Sequence, residues 1–312
     1  MECLVVGGAG FIGSHIVEGL LAAGERVRVL DNISTGKREN LAPFLDDIDL
    51  IEGDIRDAAV VKKAVSGIEV VFHEAAVPSV PRSIDDPSLT HDVNVNGTLT
   101  LLLAAREARV SRFVYASSSS VYGDTPTLPK IEDMPPSPLS PYAVQKLMGE
   151  YYARVFYLVY KMPTVSLRYF NVFGPRQDPT SEYAAVIPKF ITRIMAKEPP
   201  VIYGDGTQTR DFTYVVNVVA ANILAATEER CVGEVLNVST GKNIDLIGLA
   251  QMIGGAMGNT IRPIFKGPRE GDIKHSFGDI TKAKRLLGYD TTVGLEEGLS
   301  RTVTWYLDGA SR

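Results

Sequence analysis

The sequence has little of what would make it a disulfide scaffold, a nucleic-acid binder or a membrane protein. Cys3 and Cys231 are the only cysteines in 312 residues. Neither has metal-ligand spacing, so both read as buried free thiols in a reducing compartment, with no metal site expected. Positive charge is not in excess: 32 Lys and Arg against 37 Asp and Glu leave a net charge of -5. That offers no field for nucleic acid, and an anionic ligand would have to be met by local cations. No apolar stretch approaches the ~18 residues of a membrane-spanning helix. Glu2 stands where a secretory signal carries its basic residues, so a cytoplasmic chain is expected. Internal repeats and low-complexity linkers are missing too. What remains, 45% hydrophobic and 22% charged, is the composition of an ordinary soluble globular protein of one large domain or two.

What is present is an alternation of strands and helices. Residues 3–6 form a short apolar strand that runs into Gly7-Gly-Ala-Gly10-Phe-Ile-Gly13, and helical periodicity then holds to residue 23, where Gly24 stops it. Glycines here let the backbone turn tightly and approach a pyrophosphate, which the free amides and dipole of a helix N-terminus favour. A second strand over 27–30 ends in Asp31, whose carboxylate can accept both hydroxyls of an adenosine ribose. The same carboxylate repels a 2′-phosphate, so NAD is expected over NADP. Lys37 and Arg38, in a polar loop with Gly36, are the counter-signal.

The alternation continues through a strand at 49–52, ending in Gly53-Asp54-Ile55, a helix at 60–65 and a strand at 69–73 leading into Glu74-Ala75-Ala76. Asp54 suits an adenine amino group, and small residues at 75 and 76 let a cofactor pass close. His73, ending an apolar strand, reads as a hydrogen-bonded core residue. A long amphipathic helix over 87–108 contains Asn94, and a strand at 112–116 delivers Ser117-Ser118-Ser119-Ser120. Repeated units with apolar, β-branched strands predict an α/β fold with a doubly wound parallel sheet. Beyond a strand at 164–168 the pattern loosens. A helix over 181–197, a short strand at 201–203, a helix over 215–227 and a strand at 234–238 returning to the sheet are expected, then mixed short elements. Residues 1–171 and 213–240 are therefore assigned to a cofactor domain, and 172–212 and 241–312 to a smaller mixed α/β substrate domain.

Tyr142 and Lys146 are four residues apart, so on a helix they share a face. A neighbouring ammonium favours phenolate and lowers a tyrosine pKa from about 10. Such a tyrosine can take a proton from a substrate hydroxyl. Spacing alone does not single this pair out, because Tyr157 and Lys161 repeat it just before Met162-Pro163, where a helix is ending. The second pair reads as helix surface. What distinguishes the first is its company.

With the glycine loop, Asp31, Asp54, the serine run and Tyr142/Lys146 in order, the chain resembles the extended short-chain dehydrogenase/reductase family. Within it, it is similar to the nucleotide-sugar 4-epimerases over essentially its whole length. The resemblance implies a Rossmann sheet with NAD held by Gly7, Gly10, Phe11, Ile12, Gly13, Asp31, Asn32, Ser34, Gly36, Asp54, Ile55, Ala75, Asn94, Tyr142 and Lys146. It places on Ser118, four residues before the tyrosine of Val121-Tyr122-Gly123, the role of assisting Tyr142. It matches Arg210 and Arg269 to the grip on a UDP diphosphate, Asp272 to the uridine ribose, Asn171 to a diphosphate contact and Tyr203 to packing on uracil. The implied reaction interconverts UDP-galactose and UDP-glucose through a transient 4-keto sugar.

Departures from the family pattern carry information. Related sugar dehydratases follow that Ser or Thr with Asp-Glu, and related decarboxylases keep a Glu; here Ser119 and Ser120 stand instead. Dehydration or decarboxylation is the rival chemistry, and a catalytically silent NAD-sensing protein is the rival of another class. Pro78 replaces a lysine that several members carry. Ser276 is small where relatives restricted to glucose and galactose have tyrosine, which leaves room for a 2-acetamido group and adds UDP-GalNAc/UDP-GlcNAc as a further pair. Members commonly dimerise through two helices, here 87–108 and 142–160, so a homodimer is expected. Arg82, Arg168 and Arg176 carry no assigned role.

Overall fold

The computed structural model describes residues 1–179, 185–267 and 273–310. Strands β1 (Glu2–Val6), β2 (Arg26–Asp31), β3 (Ile48–Glu52) and β4 (Val70–His73) alternate with helices α1 (Phe11–Ala22) and α2 (Ala58–Val65). Then come α3 (Val80–Asp85), α4 (Pro87–His91), α5 (Thr98–Ala108), β5 (Arg112–Ser118), α6 (Pro141–Tyr160) and β6 (Thr164–Tyr169). β4 is buried at every residue, which is why it reads as an apolar run rather than an alternating one, and β6 is buried throughout although Ser166 and Arg168 alternate with its apolar residues. Helix starts follow side-chain chemistry. The Asp57 carboxylate accepts from the amides of Ala59 and Val60 to begin α2, and the Ser140 hydroxyl accepts from the Ala143 amide, with Pro141 first in α6.

The second lobe opens with β7 (Val172–Phe173), α7 (Val186–Met195), β8 (Val201–Tyr203), β9 (Thr209–Arg210) and β10 (Thr213–Tyr214). The chain then returns through α8 (Val215–Thr227) to β11 (Val235–Val238), and leaves again through β12 (Ile244–Asp245), α9 (Leu246–Ala256), β13 (Ile264–Lys266) and β14 (His275–Ser276). It closes with α10 (Thr281–Leu287) and α11 (Leu295–Ala310).

Seven strands form one parallel sheet in the order β11-β6-β5-β4-β1-β2-β3, so strand order reverses between β4 and β1. Alternate residues of β1 point to opposite faces. Cys3 and Val5 join α1 and α8 residues such as Ile16, Leu20 and Val218, whereas Leu4 and Val6 join Val61, Leu101 and Phe156 from α2, α5 and α6. The fold is thus the doubly wound α/β arrangement that the alternation predicted. A third cluster, including Phe190, Ile202, Leu249 and Val303, fills the second lobe between α7, α9, α11 and its short strands.

The expected helix over 87–108 is three pieces. Between α4 and α5 the backbone widens into a π-helical turn, Asp92–Gly97, which a 3.6-residue periodicity does not reveal. The helix expected from residue 181 is described from Val186. Among the described residues no helix is long and apolar enough to cross a membrane, and no group of three or more His, Cys, Asp or Glu could hold a metal.

Candidate active site

A cleft of about 1390 Å³ runs along the carboxyl ends of the strands, across the point where their order reverses. That is the crevice in which open parallel sheets bind ligands. Its first wall is the glycine loop. Gly7 has φ +85°, and a Cβ there would lie 2.6 Å from the Ala75 amide nitrogen; a Cβ on Gly13 would lie 2.1 Å from the Gly7 carbonyl oxygen. No side chain caps α1 at Gly10, and Phe11, Ile12 and Gly13 line the cleft. Backbone and helix terminus are therefore offered directly to a ligand, which fits a pyrophosphate.

Asp31 is buried at the end of β2. Its Oδ2 accepts from the Ala9 amide at 2.9 Å and its Oδ1 from the Ile33 amide at 2.8 Å, which leaves each oxygen a second lone pair. Burial pushes its pKa up while the two amides pull it down. Asn32, Ser34, Gly36, Asp54, Ile55 and Ala75 also line the cleft. The counter-signal for NADP is muted, because Lys37 is paired with Asp178 at 3.2 Å and Arg38 with Glu52.

Asp54, expected to suit an adenine amino group, lines the cleft with its carboxylate already held by neighbours. Arg56 holds it with Nε on Oδ1 at 2.9 Å and Nη2 on Oδ2 at 2.8 Å, and Asn32 adds a bond to Oδ2 at 2.9 Å. The guanidinium keeps this carboxyl well below its usual range. Asp54 is thus an anchored, ionised wall residue, and the signal was an arginine two positions away.

Tyr142 stands in the first turn of α6, its amide bonded to the Ser83 hydroxyl at 3.0 Å. Ser118, at the end of β5, favours the ionised form of the Tyr142 phenol, but burial dominates and pushes the phenol up to about 12. Both residues face the cleft. Lys146 lies behind this wall, only 4% exposed. Its Nζ donates to the Ala116 carbonyl at 2.7 Å and sits 5.2 Å from the centre of the Tyr115 ring. The expected downward pull of Lys146 on the neighbouring phenol is not what this arrangement displays. The influences on Tyr142 are burial, Ser118 and the negative charge of Glu74, in that order. A shared helix face sets where the two stems begin; the lysine stem then runs beneath β5 to its carbonyl.

Asn94 is also behind the wall. In the π-helical turn its Oδ1 accepts from the Val77 amide at 2.8 Å and its Nδ2 donates to Gln145 Oε1 at 2.9 Å, so it braces the cleft lining against α6. At the other end of the cleft, Asn171, Arg210 and Ser276 come together. Arg210 and Ser276 are register partners on β9 and β14, and Asn171 donates to the Asp211 carbonyl at 3.0 Å from a strained φ of +29°. Tyr203 is half-buried on β8 and is not among the residues lining the cleft. Arg269 and Asp272 lie outside the described residues.

His73 and Lys161, read as structural, have partners in the scaffold, and so do Arg168 and Arg176, to which no role was assigned. The His73 ring bonds Thr98 Oγ1 at 2.8 Å, and burial with the nearby Lys146 charge pushes it down to about 3. Lys161 is the left-handed cap of α6, its Nζ on the Leu158 carbonyl at 2.9 Å. Arg168 is buried in a two-bond ion pair with Glu150, at 2.9 and 2.8 Å, and the Ser117 hydroxyl donates to the same carboxylate. The pair ties α6 to β5 and β6. Arg176 lines the cleft, paired with Glu18 at 2.5 Å on α1.

Glu74 is the cleft residue that sequence reasoning passed over. It follows the last residue of β4 and lines the cleft, and its Oε1 accepts from the Tyr169 hydroxyl at 2.7 Å. Tyr169 is itself held by the Asn222 amide at 2.8 Å. Burial pushes the Glu74 carboxyl up. The serine run holds no carboxylate, but the cleft does.

A model of the NAD dependent epimerase/dehydratase family matches residues 3–239. The UDP-glucose 4-epimerase of Mycolicibacterium smegmatis is 42% identical over 98% of both chains. Among solved structures, a UDP-N-acetylglucosamine 4-epimerase from Methanobrevibacter ruminantium, in complex with UDP-N-acetylmuramic acid, superposes with a TM-score of 0.94 at 41% identity, covering 99% of this chain and 98% of that one. The UDP-glucose 4-epimerase of Thermotoga maritima with UDP-glucose gives a TM-score of 0.95 at 38% identity, covering 99% and 100%.

Proposed function

The chain belongs to the NAD dependent epimerase/dehydratase family, and from that premise we propose that it interconverts UDP-galactose and UDP-glucose by inverting C4 of the sugar, with UDP-GalNAc and UDP-GlcNAc as a second pair. The observation that carries this reading is that Ser118, at the open end of β5, and Tyr142, at the start of α6, line one cleft, with a serine run that holds no carboxylate. Base chemistry is available there, whereas the acid/base pair of a dehydratase is not. The cofactor cradle supports it: glycines where a Cβ would strike backbone, an uncapped α1, and Asp31 with acceptor capacity to spare.

NAD, when bound, supplies the acceptor and donor of hydride at the sugar carbon. The residues of the chain manage the proton and the position. Tyr142 takes the proton of the 4-hydroxyl as phenolate, and Ser118 donates to the oxygen that gains charge. Burial alone opposes the phenolate, so Tyr142 works as a base only with positive charge nearby. The Lys146 ammonium and an oxidised cofactor are what this reading assigns to that task. Arg210, with Arg269, holds the diphosphate while the hexose turns and presents its other face; Asn171 and Asp272 complete that anchor. Ser276 leaves volume for a 2-acetamido group. Residues 1–171 and 213–240 serve as the cofactor domain in this scheme, and 172–212 and 241–312 as the nucleotide-sugar domain.

α6 leaves Tyr151, Val155, Leu158 and Val159 about half exposed or more, at 54%, 47%, 51% and 63%. An apolar face of this size supports a homodimer formed through α6, which sedimentation at micromolar concentration checks; a monomer there removes it. The function is tested by incubating purified protein with UDP-galactose, without added cofactor, and identifying the product. UDP-glucose is expected. A 4-keto-6-deoxy product assigns the dehydratase chemistry instead, and retained NAD with no turnover of any nucleotide sugar assigns the silent sensor.

A further inference from the structure

Glu74 stands beside the reversal in strand order. A Cβ on Gly7 would lie 3.0 Å from the Glu74 carbonyl carbon, so this residue and the glycine loop form the two lips of the crevice. One carboxylate oxygen is anchored by Tyr169 at 2.7 Å, and Tyr169 is in turn fixed by Asn222 on α8. The other oxygen, Oε2, has no hydrogen-bond partner among the described residues, and the side chain lines the cleft. One oxygen is thus tethered to the scaffold while the carboxylate as a whole faces the ligand space.

Which part of a ligand it faces follows from the topology. Asp31 on β2 marks the adenosine side and the start of α1 marks the pyrophosphate. A dinucleotide lying across the reversal then places its nicotinamide on the β4–β5 side, with Glu74, Ser118 and Tyr142. The oxidised nicotinamide ring is a cation and the reduced ring is neutral. We propose that Glu74 is a cofactor-tuning residue, whose carboxylate stabilises the oxidised ring over the reduced one and biases the site to rest with NAD+. This rests on the reading of the cleft as an NAD site. A reaction that returns its hydride in every cycle needs the oxidised form waiting for the next sugar.

The other charges around Glu74 are accounted for. Lys146 of α6 carries the opposite sign and acts in the opposite sense, from behind the wall. Glu150 of α6 is neutralised by Arg168, and Tyr142 of α6 and Tyr169 of β6 are phenols raised by burial. His73, next to it on the chain, is held neutral. Glu74 is therefore the carboxylate at this end whose charge no guanidinium cancels among the described residues. Burial raises its pKa, so the bias is present at alkaline pH and fades as the carboxylate is protonated.

The test reads cofactor preference without turnover. Holoprotein is exchanged to equilibrium against equimolar NAD+ and NADH, desalted and denatured, and the ratio of released NAD+ to NADH is measured. Wild type should favour NAD+. Glu74→Gln keeps the acceptor for Tyr169 and removes the charge, and should lower the ratio by ~10-fold or more, as should Glu74→Leu. A Glu74→Gln ratio within about twofold of wild type overturns the proposal. So does a change in Glu74→Leu alone, which would assign the effect to the hydrogen bond. If neither variant folds, the wild-type ratio measured from about pH 8 to about pH 5.5 decides, since it must fall severalfold as the carboxylate protonates; a flat profile overturns the charge argument. Wild type that retains neither nucleotide removes the NAD reading itself, an outcome distinct from retention with an unchanged ratio.

Discussion

Gly149 lets α6 lie against β5, and replacing it with alanine tests whether that approach positions the site. An added methyl would meet the Tyr115 hydroxyl oxygen at 2.1 Å and its Cζ at 2.2 Å, where ordinary contacts begin at 3.4 Å. Tyr115 has nowhere to go. It is 1% exposed, its hydroxyl reaches the Lys146 carbonyl at 3.4 Å, and its ring has His73 at 5.6 Å and the Lys146 ammonium at 5.2 Å. Alanine gains ~1 kcal/mol of helix propensity over glycine. Overpacking a closed core costs ~1–3 kcal/mol, and relief here needs a shift of more than an ångström, so the upper end applies. Gly149→Ala should therefore lose about 1–2 kcal/mol net. The shift falls on the helix that carries Tyr142 and Lys146, and a misplacement of ~1 Å can cost ~10²-fold in rate. Denaturant unfolding reads the first effect and product formation the second. Gly255→Ala on α9 is the internal control, because nothing lies within 4 Å of its added methyl; it should gain ~0.5–1 kcal/mol with turnover unchanged. A Gly149→Ala protein as stable and as active as wild type would show that α6 does not rest on β5 this closely.

Tyr142→Phe keeps the ring and removes the ionisable oxygen, so turnover should fall by ~10²–10⁴. Tyr157→Phe should leave turnover nearly unchanged, because its lysine partner only caps the helix; comparable losses in both variants would refute the choice of base. Ser276→Tyr should reduce turnover of N-acetylhexosamine substrates by ~10-fold or more while sparing the plain hexoses. A wild-type protein that ignores UDP-GlcNAc at saturation disposes of the gate argument.

The fold was legible wherever one period dominates. Strand parity and apolar content marked the parallel strands, and a glycine loop between a strand and a helix marked the cleft. The place of Asp31 at the end of β2 was legible from the strand that precedes it. What could not be read lies in side-chain reach and in partners distant along the chain. Asp54 is occupied by Arg56 and Asn32, the second of them 22 positions away. Lys146 shares a face with Tyr142 on paper, yet its four-carbon stem delivers the charge to Ala116 on another element. Tyr203 sits on a two-stranded ribbon with β13, whose course no periodicity specifies. Glu74 escaped because an acid followed by two alanines looks like a strand end; only the convergence of β4, β6 and α8 shows it held by Tyr169, which Asn222 holds in turn.

The strand order also says something about synthesis. β6 is buried along its whole length, and its outer neighbour β11 is made only after the chain has passed through β7, α7, β8, β9, β10 and α8. Until then a nascent chain presents the open edge of a strand that the finished sheet buries, a template for pairing with other chains. β11 also brings Asn237, whose side chain bonds the Lys130 and Asp279 carbonyls and the Tyr122 hydroxyl, knitting three distant stretches at that edge. A polypeptide stalled or cut before residue 235 carries Ser118, Tyr142 and Lys146, and still lacks the strand that seals the sheet on which they stand.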